Sequence, residues 1–443
     1  MPEVAEVAHV CALLKRNIVG KTVKRAHLRL DTLLFPALKS ASDPESVLTD
    51  FQKRLEGSKV EAVRRHGKYF WLWLEKEKEK LAVLMHFGMT GMVHLRDVKS
   101  HLVFMENGGD KKIKSEKENG DETPELESEP EPQEWPPRFS KFELELENGQ
   151  KTELAFVDPR RLARVRLLWG PECSSDELLM QQEPLKRQGP DYSKGGEREV
   201  KKEEEVKEEE GEVKEEEGEV KEEEGEVKRE VKKEEGEEVN KIKEEAEGEE
   251  GLAKAEQEVI SLFSPSHESS VSDFPRPTVF HPDPDPDPHG RARLAFPDFA
   301  KLVLSRRKPI KALLLDQAFF AGVGNWVSDE ILYHAQIHPS ENLAEHISDP
   351  EDPRLARLYY SLIYVMEMSV AVEGNVREFP ENWLMLHRWG KRRKEKAKTK
   401  MGYSVAFETV GGRTSCFVPE LQKRMGPAVK RRKTSKEKQS GDE

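Results

Sequence analysis

Cysteine is scarce in this chain: Cys11, Cys173 and Cys416 are the only three among 443 residues, an odd number spread along the whole length. That excludes a disulfide framework and a four-cysteine zinc knuckle, and it points to a reducing compartment with no structural metal and no cofactor. Long apolar runs are missing as well. No stretch approaches the roughly 18 uninterrupted apolar residues that a membrane span needs. A basic leader is also absent, because Glu3 and Glu6 precede the first basic residue, Lys15, which reverses the charge order of a secretory signal. Apolar residues make up 35% against 36% charged, a ratio at which part of the chain cannot bury a core.

What is abundant is charge, and it is unevenly placed. Residues 193–260 hold 14 Lys and Arg against 29 Asp and Glu, residues 101–134 hold 4 against 11, and the whole chain carries −13, which leaves +9 on the remainder. A basic body with two acidic inserts points to a polyanionic partner. The longer insert repeats Lys-Glu-Glu-Glu-Gly-Glu-Val from Lys207, Lys214 and Lys221. One valine and one glycine per seven residues cannot form a coiled-coil seam, so a disordered linker is expected. The run from Pro282 to Pro288, alternating proline with aspartate, cannot be helical and should be extended.

Outside the inserts the periodicity changes along the chain. Val4, Val7, Cys11, Leu14 and Ile18 lie on one stripe of a helix over residues 3–19, ended by Gly20. Val60–Leu74 and Leu81–Phe87 read as strands. Phe142, Leu144 and Leu146 alternate with charge before Asn148-Gly149, and Leu154–Trp169 follows as the second arm of a hairpin. A β-sandwich or barrel with a leading helix is expected over about residues 2–170. Helical patterning begins near Leu294, with Pro309 at a first helical position, a break at Gly322-Val323-Gly324-Asn325, a helix through Trp326 to Ala335 and a longer one from Pro353 to Glu373. A small hairpin over Ser404–Val418 turns at Gly411-Gly412. Residues 387–433 carry 15 Lys and Arg against 3 Glu.

Several residues at these places suit particular chemistry. Removal of Met1 would expose the secondary amine of Pro2, partly unprotonated near neutrality, which can attack a sugar carbon and form an iminium while Glu3 handles protons. The same pair would also serve simply to open a helix. The Gly322–Asn325 turn between two helices offers backbone N–H groups to a phosphate, with Lys308 and Lys311 nearby. Gly411-Gly412-Arg413 presents one arginine at a hairpin tip, where its fork can grip a phosphate. Lys68 follows Arg64-Arg65-His66-Gly67, and Met89 lies in a Gly88–Gly91 turn where a flexible apolar side chain has little reason to be exposed. Arg160, Arg161 and Leu162, after Asp158-Pro159, combine a cation with an apolar wedge, which suits filling a gap in a base stack.

In this order these motifs resemble the formamidopyrimidine-DNA glycosylases: Met1-Pro2-Glu3 with Glu6-Val7, Arg64–Tyr69, His86–Gly91, Asp158–Arg161, Gly189-Pro190-Asp191, Asp316-Gln317 through Gly322–Glu330, His338-Pro339 and the Gly-Gly-Arg-Thr hairpin. The likeness is greatest to the plant and fungal branch, whose terminal hairpin lacks zinc. The resemblance implies an α+β architecture: a β-sandwich catalytic domain over 2–184 with an acidic insert at about 105–134, a disordered insert over 185–292, a helix-two-turn-helix domain over 293–385, a zincless finger over 386–422 and a basic tail over 423–443.

It implies roles residue by residue. Pro2 would be the Schiff-base nucleophile, Glu3 the proton donor, Glu6 a supporting carboxylate, Lys68 a general acid and base, and Arg413 the finger arginine that assists δ-elimination. Met89, Arg160 and Leu162 would fill the gap left by a flipped nucleotide, with leucine at a position where bacterial members carry phenylalanine. Asn325, Lys311 and Lys141 would contact DNA. Residues 373–383, where a lesion-capping loop would lie, give no match, and with no zinc cysteines the hairpin must be held by packing alone. The implied activity is excision of oxidised purines (formamidopyrimidines, with 8-oxoguanine less secure) from damaged double-stranded DNA, followed by strand cleavage. Two alternatives are a DNA- or chromatin-binding module without chemistry and an endonuclease VIII-like specificity for oxidised pyrimidines. A monomer located in the nucleus, with chromatin or repair-protein contacts through the acidic repeats, completes the expectation.

Overall fold

The computed structural model describes residues 2–103, 134–195, 283–289, 291–388 and 397–426. The heptad repeats, most of the first insert and the basic runs at 391–394 and 430–433 lie outside them.

Helix α1 (Val4–Ile18) is apolar on nearly every side, and its faces serve two cores, the pattern of a fully buried helix. Val7, Val10, Cys11, Leu14 and Ile18 enter the core of the sandwich. Val4, Ala5 and Ala8 enter the core of the helical region instead. The first residues of the chain are thereby fixed at the junction of the two.

Strands β1 (Thr22–Leu28), β2 (Lys59–His66), β3 (Tyr69–Lys76), β4 (Glu79–His86), β5 (Met92–Leu95), β6 (Ser140–Asn148), β7 (Gln150–Val157) and β8 (Arg164–Trp169) run in the antiparallel order β5-β7-β6-β1-β2-β3-β4-β8. Helices α2 (Pro36–Lys39) and α3 (Pro44–Leu55) sit between β1 and β2. Strands β1 and β2 share only the pair Thr22–Lys59, so the sheet folds there into two four-stranded layers. In a flat sheet the five intervals from β7 to β4 would span roughly 24 Å. Phe87, just past β4, nevertheless stacks on Phe156 of β7 with ring centroids 5.8 Å apart. The expected sandwich is what forms.

The second hairpin arm is shorter than its apolar pattern suggested. Strand β7 stops at Val157, Asp158–Ala163 is a loop, and β8 pairs with β4 rather than β6. Pro159 has no N–H to continue a ladder, and the Asp158 carboxylate takes over the N–H groups of Arg160 and Ala163.

After the short α4 (Asp176–Leu179), the helical region comprises α5 (Phe296–Leu304), α6 (Ile310–Leu314), α7 (Asn325–His334), α8 (Leu343–His346) and α9 (Pro353–Ala371) around one apolar core. Pro309 precedes α6 as its cap residue rather than opening it. The finger is β9 (Ala406–Val410) and β10 (Arg413–Phe417), turning through Gly411 and Gly412, both at positive φ.

The expected disordered block over 185–292 is ordered at both margins. Arg65 of β2 is fully buried and pairs with Asp191 at 2.6 Å and Asp283 at 2.8 Å. Lys194 donates to Asp285 at 3.1 Å and to the Arg65 carbonyl at 2.5 Å, and Asp285 also accepts the Arg65 N–H and bonds His289. The proline–aspartate run is non-helical as expected, but its aspartates are stitched onto β2. Composition alone hid this, because the cations that pair with them lie far away in sequence.

Candidate active site and DNA-contact face

Glu3 stands one residue ahead of α1 and is 2% exposed. Its carboxylate accepts the N–H groups of Asn325 at 2.6 Å, Trp326 at 3.2 Å and Val327 at 3.2 Å, the free donors that open α7. Unpaired N–H groups and the helix dipole make that terminus a ready anion site. A Cβ on Gly324 would lie 2.0 Å from the Glu3 carboxyl carbon, so only glycine leaves room. Burial nevertheless raises the Glu3 carboxyl above its ordinary range, against the lowering effect of Lys68, these N–H groups and Arg388.

Glu6 accepts the Glu3 N–H at 2.8 Å. Burial, and then the charge of Glu3, push its carboxyl up to about 7. Lys68, in the β2–β3 turn, donates to the Val323 carbonyl at 2.8 Å. A Cβ on Gly67 would lie 2.7 Å from the Gly322 nitrogen; the two turns press backbone against backbone, which delivers Lys68 to the mouth of the α6–α7 turn. Burial lowers the Lys68 ammonium, Glu3 and Glu6 oppose that, and Arg413 lowers it further. Pro2 is buried immediately before Glu3. The structure thus gathers Pro2, Glu3, Glu6, Lys68 and Arg413, drawn from α1, the β2–β3 turn and the finger, at one helix terminus.

The candidate gap-filling residues share one support. Buried Asp158 accepts from Thr90 Oγ1 at 2.7 Å, the Arg160 N–H at 3.2 Å and the Ala163 N–H at 2.7 Å. It therefore ties the Met89 turn to the Arg160–Leu162 loop. Arg160 and Leu162 are exposed, and Met89 is half-buried. Asn325 is half-buried at the start of α7, and its Oδ1 has no partner among the described residues. Arg413 is exposed at the finger tip.

Two expected DNA contacts are engaged elsewhere. Lys311 is fully buried and pairs with Asp329, so its ammonium faces the interior rather than a surface phosphate. Lys141 pairs at 3.2 Å with Asp31, whose other cation is Arg161, held through two nitrogens at 3.0 Å. Sequence reasoning also passed over His86, although it lies inside a recognised motif. Its Nδ1 accepts the Gly88 N–H at 3.1 Å, so a neutral ring carries its proton on Nε2. Burial and the nearby Lys68 hold it down to about 4.

The one metal-like grouping among the described residues, His9, His101 and Glu373, is already satisfied. Arg16 grips both Glu373 oxygens at 2.7 and 2.9 Å, and His9 bonds Glu373 and Ser100.

Residues 1–165 match the family model described as the formamidopyrimidine-DNA glycosylase N-terminal domain, and residues 284–380 match that of the H2TH domain of the same enzymes. The chain belongs to the formamidopyrimidine-DNA glycosylase family. It is a DNA glycosylase. The formamidopyrimidine-DNA glycosylase of Arabidopsis thaliana is 25% identical over 427 residues, covering 96% of this chain and 72% of its own length. That of Pelotomaculum thermopropionicum is 35% identical over 137 residues, 28% of this chain and 47% of its own. Among solved structures, MutM in complex with DNA containing carbocyclic 8-oxo-G has a TM-score of 0.52 at 16% identity, covering 95% of the glycosylase chain and 100% of its own. The Lactococcus lactis enzyme bound to abasic-site DNA has a TM-score of 0.51 at 16% identity and the same coverage. These two likenesses concern the fold.

Proposed function

We propose that the glycosylase excises oxidised purines, ring-opened formamidopyrimidines foremost, from damaged duplex DNA and then cleaves the strand as an abasic-site lyase. The observation that carries this reading is the Glu3 carboxylate seated on three N–H groups of α7, beside Lys68 and one residue from Pro2. The Pro2 amine, once Met1 is removed, attacks C1′ of the damaged nucleotide. Glu3, its proton affinity raised by burial, delivers a proton to the sugar ring oxygen as the base leaves. The iminium that forms permits β-elimination, and Arg413 on the lesion phosphate assists the δ step. Lys68, a partly desolvated ammonium, shuttles protons between the two.

Extrusion of the nucleotide leaves a gap for Met89, Arg160 and Leu162. Leucine makes a smaller wedge than an aromatic ring, so the opposite base is held less firmly. Asn325 and the basic body supply phosphate contacts and a steep salt dependence. A pure DNA- or chromatin-binding module would gain nothing from placing a proline and a buried carboxyl together at this helix terminus. The nuclear location and repair-protein contacts belong to the same reading.

Borohydride reduction during turnover on a lesion duplex is expected to trap a covalent protein–DNA adduct, and Pro2→Gly, which leaves only a primary amine, to trap and nick far more slowly. Trapping and nicking by Pro2→Gly at wild-type rates would overturn the nucleophile assignment.

A further inference from the structure

The finger carries the arginine that the proposed chemistry needs, yet it is a hairpin of two five-residue strands with a small apolar base made of Tyr333, Leu384, Val405, Cys416 and Val418. Packing alone was expected to hold it. The structure adds a buried charge cluster. Asp329, on α7 and 1% exposed, accepts the Cys416 N–H of β10 at 3.1 Å and the Arg388 Nε at 2.8 Å, and it pairs with the buried Lys311 of α6. Both cations also reach β10: Arg388 donates to the Thr414 carbonyl at 3.3 Å, and Lys311 to the same oxygen at 3.4 Å. Lys311 further donates to the Asn325 carbonyl at 3.4 Å, one turn up the same helix.

We propose that Asp329, bridged by Lys311 and Arg388, is the clamp that docks the finger on α7 and sets where Arg413 stands relative to Glu3. The inference rests on the catalytic reading above and deepens it. Among the described residues, one carboxylate and two cations tie the hairpin to the helix. The geometry favours this role for three reasons. The residues contacted, Thr414 and Cys416, lie one and three positions beyond Arg413. The helix that supplies Asp329 is the one whose first N–H groups hold Glu3. The clamp carries one positive charge in excess, and its cations act on Glu3: Arg388 lowers the Glu3 carboxyl, while Glu3 in turn raises Lys311 and Arg388. Asp329, Lys311 and Arg388 are positioning residues, since none meets the reacting atoms.

The test uses the full chain on an abasic duplex. Asp329→Asn preserves shape while weakening the clamp, and it is expected to slow strand cleavage on the order of a hundredfold, the scale of a 1 Å misplacement of a catalytic group. The loss should fall mainly on δ-elimination products, with borohydride trapping at Pro2 retained. In an Arg413→Ala background Asp329→Asn should cost nothing further; additive losses would overturn the proposal. Arg388→Met, read separately on a duplex carrying a damaged base by its pH profile, removes a cation that lowers the Glu3 carboxyl, so the alkaline limb of excision should move to higher pH. An unmoved limb with an intact hairpin would count against the clamp. If Asp329→Asn fails to fold by circular dichroism, Arg388→Lys, which keeps the charge and loses the fork, takes its place in the same cycle. Absence of trapping in the wild-type chain would instead sink the catalytic reading, which separates the two failures.

Discussion

At the scale of single residues, the site is a set of groups whose charge is unwelcome where they sit. Glu3 receives three N–H donors and a nearby ammonium, yet burial wins and its carboxyl rises. Glu6, pushed up to about 7 with the charge of Glu3 as its second cause, is half protonated near neutrality. Coupling of two carboxyls is mutual, so a charged Glu6 also raises Glu3. Glu6→Gln removes that charge for good. The Glu3 carboxyl should then fall, and Glu3 should lose its proton at lower pH. If Glu3 is the proton donor, the alkaline limb of single-turnover base excision moves to lower pH in this variant, opposite to the shift expected for Arg388→Met. A limb that stays in place or moves upward would detach Glu6 from the proton chemistry.

Among elements, loops and turns are placed by carboxylates that reach across the sequence. Asp158 hydrogen-bonds both the Met89 turn and the Arg160–Leu162 loop, and the two also press together where a Cβ on Gly88 would lie 2.3 Å from the Leu162 carbonyl oxygen, so the three candidate gap-filling residues share one support. Asp158→Asn keeps one acceptor and loses another, leaving buried donors short of a partner at a cost of about 1–3 kcal/mol. We expect modestly lower stability and a larger loss of discrimination, measured as excision rates for one lesion opposite each of the four bases. Equal losses opposite every base would mean that the loops do not read the opposite strand. The finger obeys the same logic at higher stakes. Removing a partner from a buried ion pair costs about 3–5 kcal/mol, a large share of a stability of about 5–15 kcal/mol; asparagine keeps the shape but, like alanine, leaves Lys311 and Arg388 without their counter-charge, which is why Arg388→Lys stands beside Asp329→Asn in the test.

This scale also marks where the sequence was legible. The helical period of α1, the Gly322–Asn325 turn, the sandwich and the Gly411-Gly412 hairpin follow from local periodicity and turn chemistry, although the single stripe read on α1 is only one of the two faces it buries. Motif order named the residues that converge on Glu3. Partners were not legible: nothing near Lys311 announces Asp329 as its counter-ion, nor near Lys141 announces Asp31. A lysine read alone looks like a phosphate contact. The pairing that buries it is a tertiary event.

For the whole molecule, the buried charges at β2 explain how a glycosylase accommodates a long acidic insertion beside its catalytic turn. Arg65 meets Asp191 and Asp283, Lys194 meets Asp285, and the same Asp191 carboxylate accepts the Gly67 N–H at 2.8 Å, next to Lys68. The chain leaves and re-enters the body through one ionic clasp. Asp191 and Asp285 are held below the ordinary carboxylate range, burial opposing and the cations Arg65 and Lys194 prevailing. A depressed carboxyl contributes stability above its unfolded value of about 4 and loses it as pH falls toward the folded value, so the Asp191 and Asp285 pairs hold until strong acid, whereas Asp283, whose carboxyl burial raises against Arg65 and Lys194, gives up its charge first as pH falls.

Because the described contacts of the clasp lie on both sides of the intervening stretch, replacing 196–281 with a short glycine–serine bridge should leave the melting temperature near wild type at pH 7. The same deletion removes the most acidic tract of a chain whose remainder is basic. If that tract competes with phosphates for the basic body, the shortened protein binds undamaged duplex more tightly at low salt, and the difference shrinks as salt screens both attractions. Fluorescence anisotropy across a salt series reads this directly. A parallel pair of binding curves with no offset would mean that the acidic repeats do not engage the DNA face, whereas a collapse of the melting temperature would place the clasp's stability in the deleted residues.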